Sequence, residues 1–297
     1  MYVLNVATRE GRRHRGATAA IRAWRPAVPG ITEVFHAHFV EHAYPPHAHD
    51  AWTLLIVDDG AIRYDLDRHH HGAVTSTVTL LPPHVTHDGR AASHRGFRKR
   101  VLYIDETVLS AELIGAAVDH PGIADARLRH RIDQLHLTLE NPGDAFEAEG
   151  RLALIRDRLY RRLGWQARES ATGSTLVAGS TLASNQRAAE RRRLADQFRD
   201  LLDAHTIHGV TLEEASQLLH AHPAHLVRSF TRTFGLPPHT YATGRRVDLA
   251  RRLLLAGHVS ADVALAVGFY DQSHLNRHFT RFLGITPGRY ARHSRGG

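Results

Sequence analysis

The chain has 297 residues, 42% of them hydrophobic, which is ample for packed cores, excludes wholesale disorder, and at this length favours two domains over one. It has no cysteine, so disulfide frameworks and thiolate metal sites are excluded, and no apolar run approaches the roughly 18 residues a membrane span needs, so a cytoplasmic protein is expected. The formal net charge of +8 is localised: from residue 186 on, 16 arginines face 9 acids, while the rest of the chain holds 22 basic and 21 acidic groups. A local surplus suits phosphate neutralisation, and equally a solvated Arg-rich surface in a chain whose only lysine is Lys99.

Residues 1–29 carry Arg9, Arg12, Arg13, Arg15, Arg22 and Arg25 without periodicity and read as a basic N-terminal arm. Over 30–106 the pattern changes to short β-like runs at 31–40, 52–57, 62–66, 74–81 and 97–104, separated by Pro, Gly, Asp and His clusters. Strands of this length and spacing predict a compact antiparallel barrel or sandwich. Within 107–163, Leu128, Ile132, Leu135 and Leu139 share one helical face, and Leu152, Ile155, Leu159 and Leu163 another. Asn141-Pro142-Gly143 breaks between them, so the two form a helical hairpin. Its apolar faces suit either dimerisation or packing back on the barrel. Residues 164–185 are rich in Ser, Thr, Gly and Ala and read as a flexible linker to a second domain, 186–297.

That second domain contains an internal repeat. Residues 225–238 align without gaps on 274–287, and 8 of the 14 positions are identical, the mark of a duplicated supersecondary unit. Each copy reads as helix, short turn, helix. In the first, Thr211 and Glu214 make a capping box, Leu212, Ala215, Leu218 and Leu219 form an apolar stripe, and Pro223 suits the start of the next helix. In the second, Ser260 begins a helix with Val263, Ala264 and Val267, Gly268 permits a tight turn, and Asp271 is placed to cap the helix that follows. With Leu226, Phe230 and Phe234, and Leu275 and Phe279, turned to the core, the projecting residues are fixed. They are Ala224, Val227, Arg228 and Arg232 in one unit and Ser273, Asn276, Arg277 and Arg281 in the other. A helix presenting such residues can enter a major groove, where Arg reads guanine and Asn reads adenine. The competing reading is a plain helical bundle with arginines on its wet faces.

The run from Ala264 through Gly268-Phe269, Phe279, Gly284 and Pro287 to Tyr290 resembles the signature of the AraC-type (AraC/XylS) transcription regulators, over about residues 186–292. The resemblance implies seven helices in two subdomains joined by a long helix, here 239–256 and ended by Gly257. It also implies base contacts from Ala224, Val227, Arg228, Ser273, Asn276 and Arg277. Small Ala224 and Val227 offer only apolar contact, for instance to a thymine methyl. Activation is the commoner mode in that family, which would add RNA polymerase to double-stranded DNA as a partner.

In such regulators a cupin-like barrel that senses a small molecule often precedes the DNA-binding domain, and 31–105 resembles it in His47-Ala48-His49, Gly60 and Pro82-Pro83-His84-Val85-Thr86-His87. Metal-dependent cupins pair His-x-His with a Glu and a later His. His47, His49 and His87 fit three of those positions, but Trp52-Thr53-Leu54-Leu55 stands where the Glu should fall. Three imidazoles could still hold a divalent cation. In a chain with 25 histidines they could equally contact an organic effector, with Trp52, or simply bond the backbone. Asp50 and Asp88, each beside one of these histidines, are candidates to orient an imidazole. Tyr64, Arg98, Arg100 and Tyr103 lie on the strands, some of them facing inward, and His69-His70-His71 reads as an exposed hairpin turn.

No Ser-His-Asp or phosphate-cradling motif stands out, and no cofactor is implied beyond that possible cation. The expected protein is an α+β multidomain regulator, not an enzyme. A cupin-like β-barrel with a helical hairpin precedes an all-α domain of two helix-turn-helix units, and the whole is an effector-responsive homodimer. Two alternatives remain: a cupin enzyme fused to a DNA-targeting module, which the missing Glu disfavours, and a regulator that binds no ligand.

Overall fold

The computed structural model describes residues 20–173 and 182–292. Its strands are β1 (Ala20–Trp24), β2 (Ile31–Phe39), β3 (Ala43–His47), β4 (Trp52–Leu66), β5 (His69–Val74), β6 (Val78–Leu81), β7 (His87–Ala91), β8 (Phe97–Ile104) and β9 (Gly122–Ile123). All pair antiparallel, in the order β1-β2-β8-β4-β6-β9, with β5 and β7 on the far half of β4 and β3 on β7. The 15-residue β4 serves both groups, and its register against β8 breaks between Val57 and Asp59. That irregularity bends the strand and folds one group of strands over the other.

Alternation along β4 decides what each side chain meets. Thr53 and Leu55 face the barrel interior, while Trp52, Leu54 and Ile56 face outward into a second core. All of 52–57 is buried, which is why the run reads as continuously apolar. The cover on the outer side is the helical hairpin of α2 (Ala126–Thr138) and α3 (Ala145–Gly173), preceded by α1 (Ile114–Asp119). Leu128, Ile132, Leu135, Leu139, Leu152, Ile155, Leu159 and Leu163 are all buried there against Val34, Leu102 and Ile104. Each such side chain contributes roughly 1.5–3 kcal/mol. These two faces therefore pack back on the barrel. Asp125 caps α2 by accepting from the Leu128 N–H at 2.9 Å and receives Arg158 and Arg162 from α3 at 2.8 and 3.2 Å. Burial works to raise its pKa, but these donors outweigh it and bring the value down to about 2.

The remaining helices are α4 (Leu182–Ala204), α5 (Leu212–Leu218), α6 (Pro223–Phe234), α7 (Pro238–Leu255), α8 (Ser260–Ala266), α9 (Gln272–Leu283) and α10 (Pro287–Arg292). Among the described residues these are the seven implied by the resemblance, with α7 as the long connector and Gly257 after it at φ +93°. The two units differ in their cores. The first packs around Phe198, Leu202, Ala215, Leu226, Phe230 and Tyr241, with Ala48 as the one buried residue from the N-terminal domain in that cluster among the described residues. The apolar residues of the second (Val263, Val267, Leu275, Phe279, Phe282, Tyr290) run without a break into Phe35, Phe39, Leu55 and Tyr103 of the barrel. No helix among the described residues is long and apolar enough to cross a membrane.

Three sequence expectations are corrected. The arm is not irregular to residue 29, because Ala20–Trp24 pairs with β2; the arginines masked a strand in which buried Ile21 and Ala23 alternate with Arg22. Residues 1–19 lie outside the described residues. The stretch read as a linker is helical at both ends, since α3 continues to Gly173 and α4 starts at Leu182. Its first part contains Gln166-Ala167-Arg168-Glu169, strong helix formers; residues 174–181 lie outside the described residues. Finally, Asp67 and Arg68, both at positive φ, make the β4–β5 turn, so His69, His70 and His71 begin β5.

Candidate functional sites

The recognition helices are defined by local chemistry at both ends. Pro223 opens α6, where the His222 ring accepts from the Ala224 N–H, and Asp271 caps α9 by accepting from the His274 N–H at 2.7 Å. Gly235 and Gly284 close them, both at φ +76°, a left-handed conformation that favours glycine. Gly268 in the second turn is more tightly constrained. Its φ is +85°, and a Cβ there would stand 2.0 Å from the Ile207 carbonyl oxygen. With Leu226, Phe230, Leu275 and Phe279 buried, Arg228, Arg232, Ser273, Arg277 and Arg281 are exposed, and Ala224, Val227 and Asn276 are half-buried on the same outward side. All eight lie on α6 and α9 with the outward placement that the helical spacing predicts.

The barrel holds the other ends of both helices. Arg68 donates to the Arg232 carbonyl at 3.1 Å, Thr86 to the Phe234 carbonyl, and His42 Nε2 to the Phe282 carbonyl at 3.3 Å. Carbonyls at a helix C-terminus lack intrahelical partners, so they are natural anchoring points. Nearer the N-termini, Arg228, Ser273 and Arg277 are exposed.

Between these anchors a buried ionic network joins β2 to α7 and α10. Arg251 donates to Glu33 at 2.7 Å and to Asp248 at 3.2 Å, and its guanidinium carbon lies 4.4 Å from the Tyr103 ring centroid. The Tyr290 hydroxyl donates to Glu33 at 2.6 Å. His49 Nδ1 meets both carboxylate oxygens of Asp248, at 3.1 and 3.2 Å. Burial would raise the Asp248 pKa, but His49, Arg251 and Arg245 outweigh it and hold the carboxyl below its usual range. Arg252 reaches Asp50 at 2.5 Å from the exposed side.

Inside the barrel mouth His47, His49 and His87 come together as the sequence suggested. All three are buried, and one ring nitrogen from each lies within 4.8 Å of the others. His47 Nδ1 sits 2.7 Å from the Pro45 carbonyl and His87 Nδ1 3.1 Å from that of Val85. Burial, then the neighbouring histidines, pushes the His47 pKa well below its ordinary value; burial, then His49, takes His87 down to about 3. Both shifts favour the neutral ring. Tyr44, Thr53, Tyr64, Lys99 and Tyr103 complete a cavity of about 50 Å³. Burial and the charge of Arg251 lower the Lys99 pKa to about 7.

Other sequence candidates lie elsewhere. Trp52 is not in this cavity: strand alternation turns it outward, where its indole donates to the Leu109 carbonyl at 2.8 Å. Neither adjacent aspartate orients an imidazole, since Asp50 binds Arg252 and Asp88 accepts from the Asp65 N–H at 2.7 Å. That role falls to Asp248, 199 residues from His49 in sequence, which no local pattern could have identified. Arg100 bonds Asp58 and Asp133 on the outer side of the sheet, and Arg98 is exposed.

Residues 29–155 match the family described as the AraC-like ligand binding domain, and residues 215–293 a helix-turn-helix domain. The uncharacterized HTH-type transcriptional regulator YbfI of Bacillus subtilis (strain 168) is 24% identical over 250 residues, covering 81% of this chain and 84% of its own. Among solved structures, an apo variant of ToxT from Vibrio cholerae superposes with a TM-score of 0.58 at 11% identity, over 94% of this chain and 98% of that one. Wild-type ToxT bound to an unsaturated fatty acid gives 0.51 at 12% identity, over 96% and 99%. At these identities the likeness to ToxT is one of fold.

Proposed function

The chain belongs to the AraC-type regulators, an AraC-like ligand-binding domain followed by a helix-turn-helix domain, and from that premise we propose that it is a sequence-specific, effector-responsive activator of transcription acting in the cytoplasm. Arg228, Asn276 and Arg277 read bases, Ala224, Val227 and Ser273 line the same groove-facing surfaces, and Arg232 and Arg281, a turn further on, engage phosphates. The observation that carries this reading is the division of the recognition helices: Arg228, Ser273 and Arg277 exposed within their first two turns, barrel contacts on their C-terminal carbonyls. A barrel so placed can set the relative position of the two helices, and an effector preferring one arrangement would shift it. That the protein activates, and so engages RNA polymerase, follows from the family alone.

We assign homodimerisation to the outer face of the hairpin, where Leu137, Phe146 and Leu154 are exposed while the inner face is consumed by the barrel. The test of base reading is Arg277→Ala, measured on a duplex enriched from a random pool by the wild-type protein. It should cost about 1–3 kcal/mol there and little on unselected DNA at the same salt. Equal losses on both would refute the assignment.

A further inference from the structure

The three buried imidazoles at the barrel mouth share a feature that hydrogen bonding to the backbone alone does not require. Each Nδ1 faces an oxygen: the Pro45 carbonyl at 2.7 Å, the Val85 carbonyl at 3.1 Å and the Asp248 carboxylate at 3.1 Å. A carbonyl only accepts, and an ionised carboxylate only accepts, so Nδ1 carries the hydrogen in all three rings. An imidazole that donates from Nδ1 keeps Nε2 as its ligating nitrogen. Outer oxygens that fix one tautomer are the usual support of metal-binding histidines. Here they come from β3, from the loop before β7 and from a helix of the other domain.

Size and chemistry narrow the ligand. A cavity of about 50 Å³ has room for an ion and a few waters, far short of the roughly 300–1,000 Å³ that pockets for organic ligands occupy. Three nitrogen donors suit borderline cations such as Zn²⁺, Co²⁺ or Ni²⁺ and not Mg²⁺ or Ca²⁺, which require oxygens. In a tetrahedral site with Zn–N of about 2.0–2.1 Å the nitrogens lie about 3.4 Å apart, so a modest rotation of the rings closes the set. The hydroxyls of Tyr44 and Thr53 line the same cavity without a hydrogen-bond partner among the described residues, ready for a water or small anion on the open coordination position.

We propose that His47, His49 and His87 bind one divalent first-row transition cation, and that Asp248 couples its presence to α7. The first half stands on the geometry of the site; the second rests on the reading that barrel occupancy acts on the DNA-binding units. A cation on His49 polarises the ring and strengthens its Nδ1–H bond to Asp248, which also binds Arg251 and, through it, Glu33. The loaded state therefore favours the docked arrangement of the two domains. By linkage, any DNA that prefers one arrangement alters metal affinity by the same factor as the metal alters its own.

The experiment uses the full-length chain, stripped with a chelator and titrated with Co²⁺ followed by visible absorption, and with Zn²⁺ in competition. One Co²⁺ per chain should bind. His87→Gln should weaken binding at least 100-fold. Asp248→Asn should keep the stoichiometry and lose 10–100-fold in affinity, a result that stands even if His87→Gln proves unstable in a melt. His69→Ala/His70→Ala, on the exposed hairpin, should change nothing. On the selected duplex, Zn²⁺ should shift wild-type affinity five-fold or more and leave His87→Gln unmoved. Equal Co²⁺ binding by wild type and His87→Gln, or binding only at millimolar concentration, overturns the site. Normal binding with no shift in DNA affinity overturns the coupling. If metal-free protein still selects its duplex, the DNA-binding reading survives either result; if no form selects DNA, that reading fails whatever the metal does.

Discussion

Arg251→Ala removes the guanidinium that two buried carboxylates share, and its cost can be worked out from what each keeps. The Arg251 side chain is 4% exposed, and those of Glu33 and Asp248 are 6% and 10% exposed. Asp248 retains His49 at 3.1 Å, so it is not stranded. Among the described residues Glu33 retains the Tyr290 hydroxyl at 2.6 Å, a neutral donor. The loss is therefore that of one uncompensated buried charge, about 3–5 kcal/mol, and not of two. The chain has an escape, because separating the barrel from α7 lets Glu33 reach water. The cost should thus appear as undocking, a fall of roughly a hundred- to several-thousand-fold in the ratio of docked to separated molecules.

Small-angle scattering would register the separation as a larger radius of gyration, and urea titration as a loss of cooperativity between domains. Glu33→Gln/Arg251→Met is the informative companion. It strands no charge and keeps the volume, so it should recover the docked radius to within about 1 kcal/mol of wild type. If Arg251→Ala matches wild type in both radius and urea midpoint, the network does not hold the domains.

Three other outcomes are expected. Gly268→Ala should destabilise the second unit by more than the roughly 1–3 kcal/mol of left-handed strain, because its Cβ also meets the Ile207 oxygen. Gly235→Ala, whose nearest neighbour is an Arg68 side-chain carbon at 3.8 Å, should cost only about 1–2 kcal/mol by thermal denaturation. His36 and His136 contact each other at 3.1 Å between β2 and α2, and burial, then Arg100 and Arg22, takes the His36 pKa down to about 4. The folded state thus refuses a proton that the unfolded chain accepts at 6.5, so stability should be level above pH 6.5 and fall towards pH 4. Removing this ring in His36→Gln should flatten the slope by up to about 1.4 kcal/mol per pH unit; an unchanged slope would contradict its burial. A fragment of residues 186–297 should keep amide-exchange protection in α6 but lose it in α9, since the first unit's core takes Ala48 alone from the N-terminal domain whereas the second's is continuous with the barrel; equal protection in both would show that the barrel's contribution is dispensable.

Legibility divided along the range of the interactions. The helix-turn-helix units were readable because caps, glycine turns and the Leu/Phe spacing act within one or two turns of chain, and the duplication stated the pattern twice. The runs at 31–40, 52–57, 62–66, 74–81 and 97–104 located β2, both halves of β4, β6 and β8, but β1, β3, most of β5, β7 and β9 were not readable, because Arg, His and Pro in short segments outweigh the few apolar residues there. The orientation of Trp52 was not readable, because a strand covered on both faces loses the alternation that would assign a side. The linker misled for a related reason: Ala and Ser are compatible with coil and helix alike, and the neighbouring Gln, Arg and Glu decided it. Glu33, Asp248, Arg251 and Tyr290 were invisible as a group, since 218 residues separate Arg251 from Glu33 and only the fold brings them together.

How a barrel could govern two recognition helices becomes clearer from what each contact surface can and cannot do. The apolar continuity between the barrel and the second unit is broad and non-directional; it resists separation but tolerates small sliding. The ionic network is the opposite, because a buried guanidinium shared by two carboxylates loses most of its value with a displacement of an ångström or so. Such a device makes docking nearly all-or-none. It also places control at His49, which lines the barrel cavity and, through its bond to Asp248, belongs to the network. On the proposed reading, a ligand of this cavity need not push on a distant helix. It has only to change how firmly one imidazole holds Asp248, and α7, joining both units, carries the result to both recognition helices.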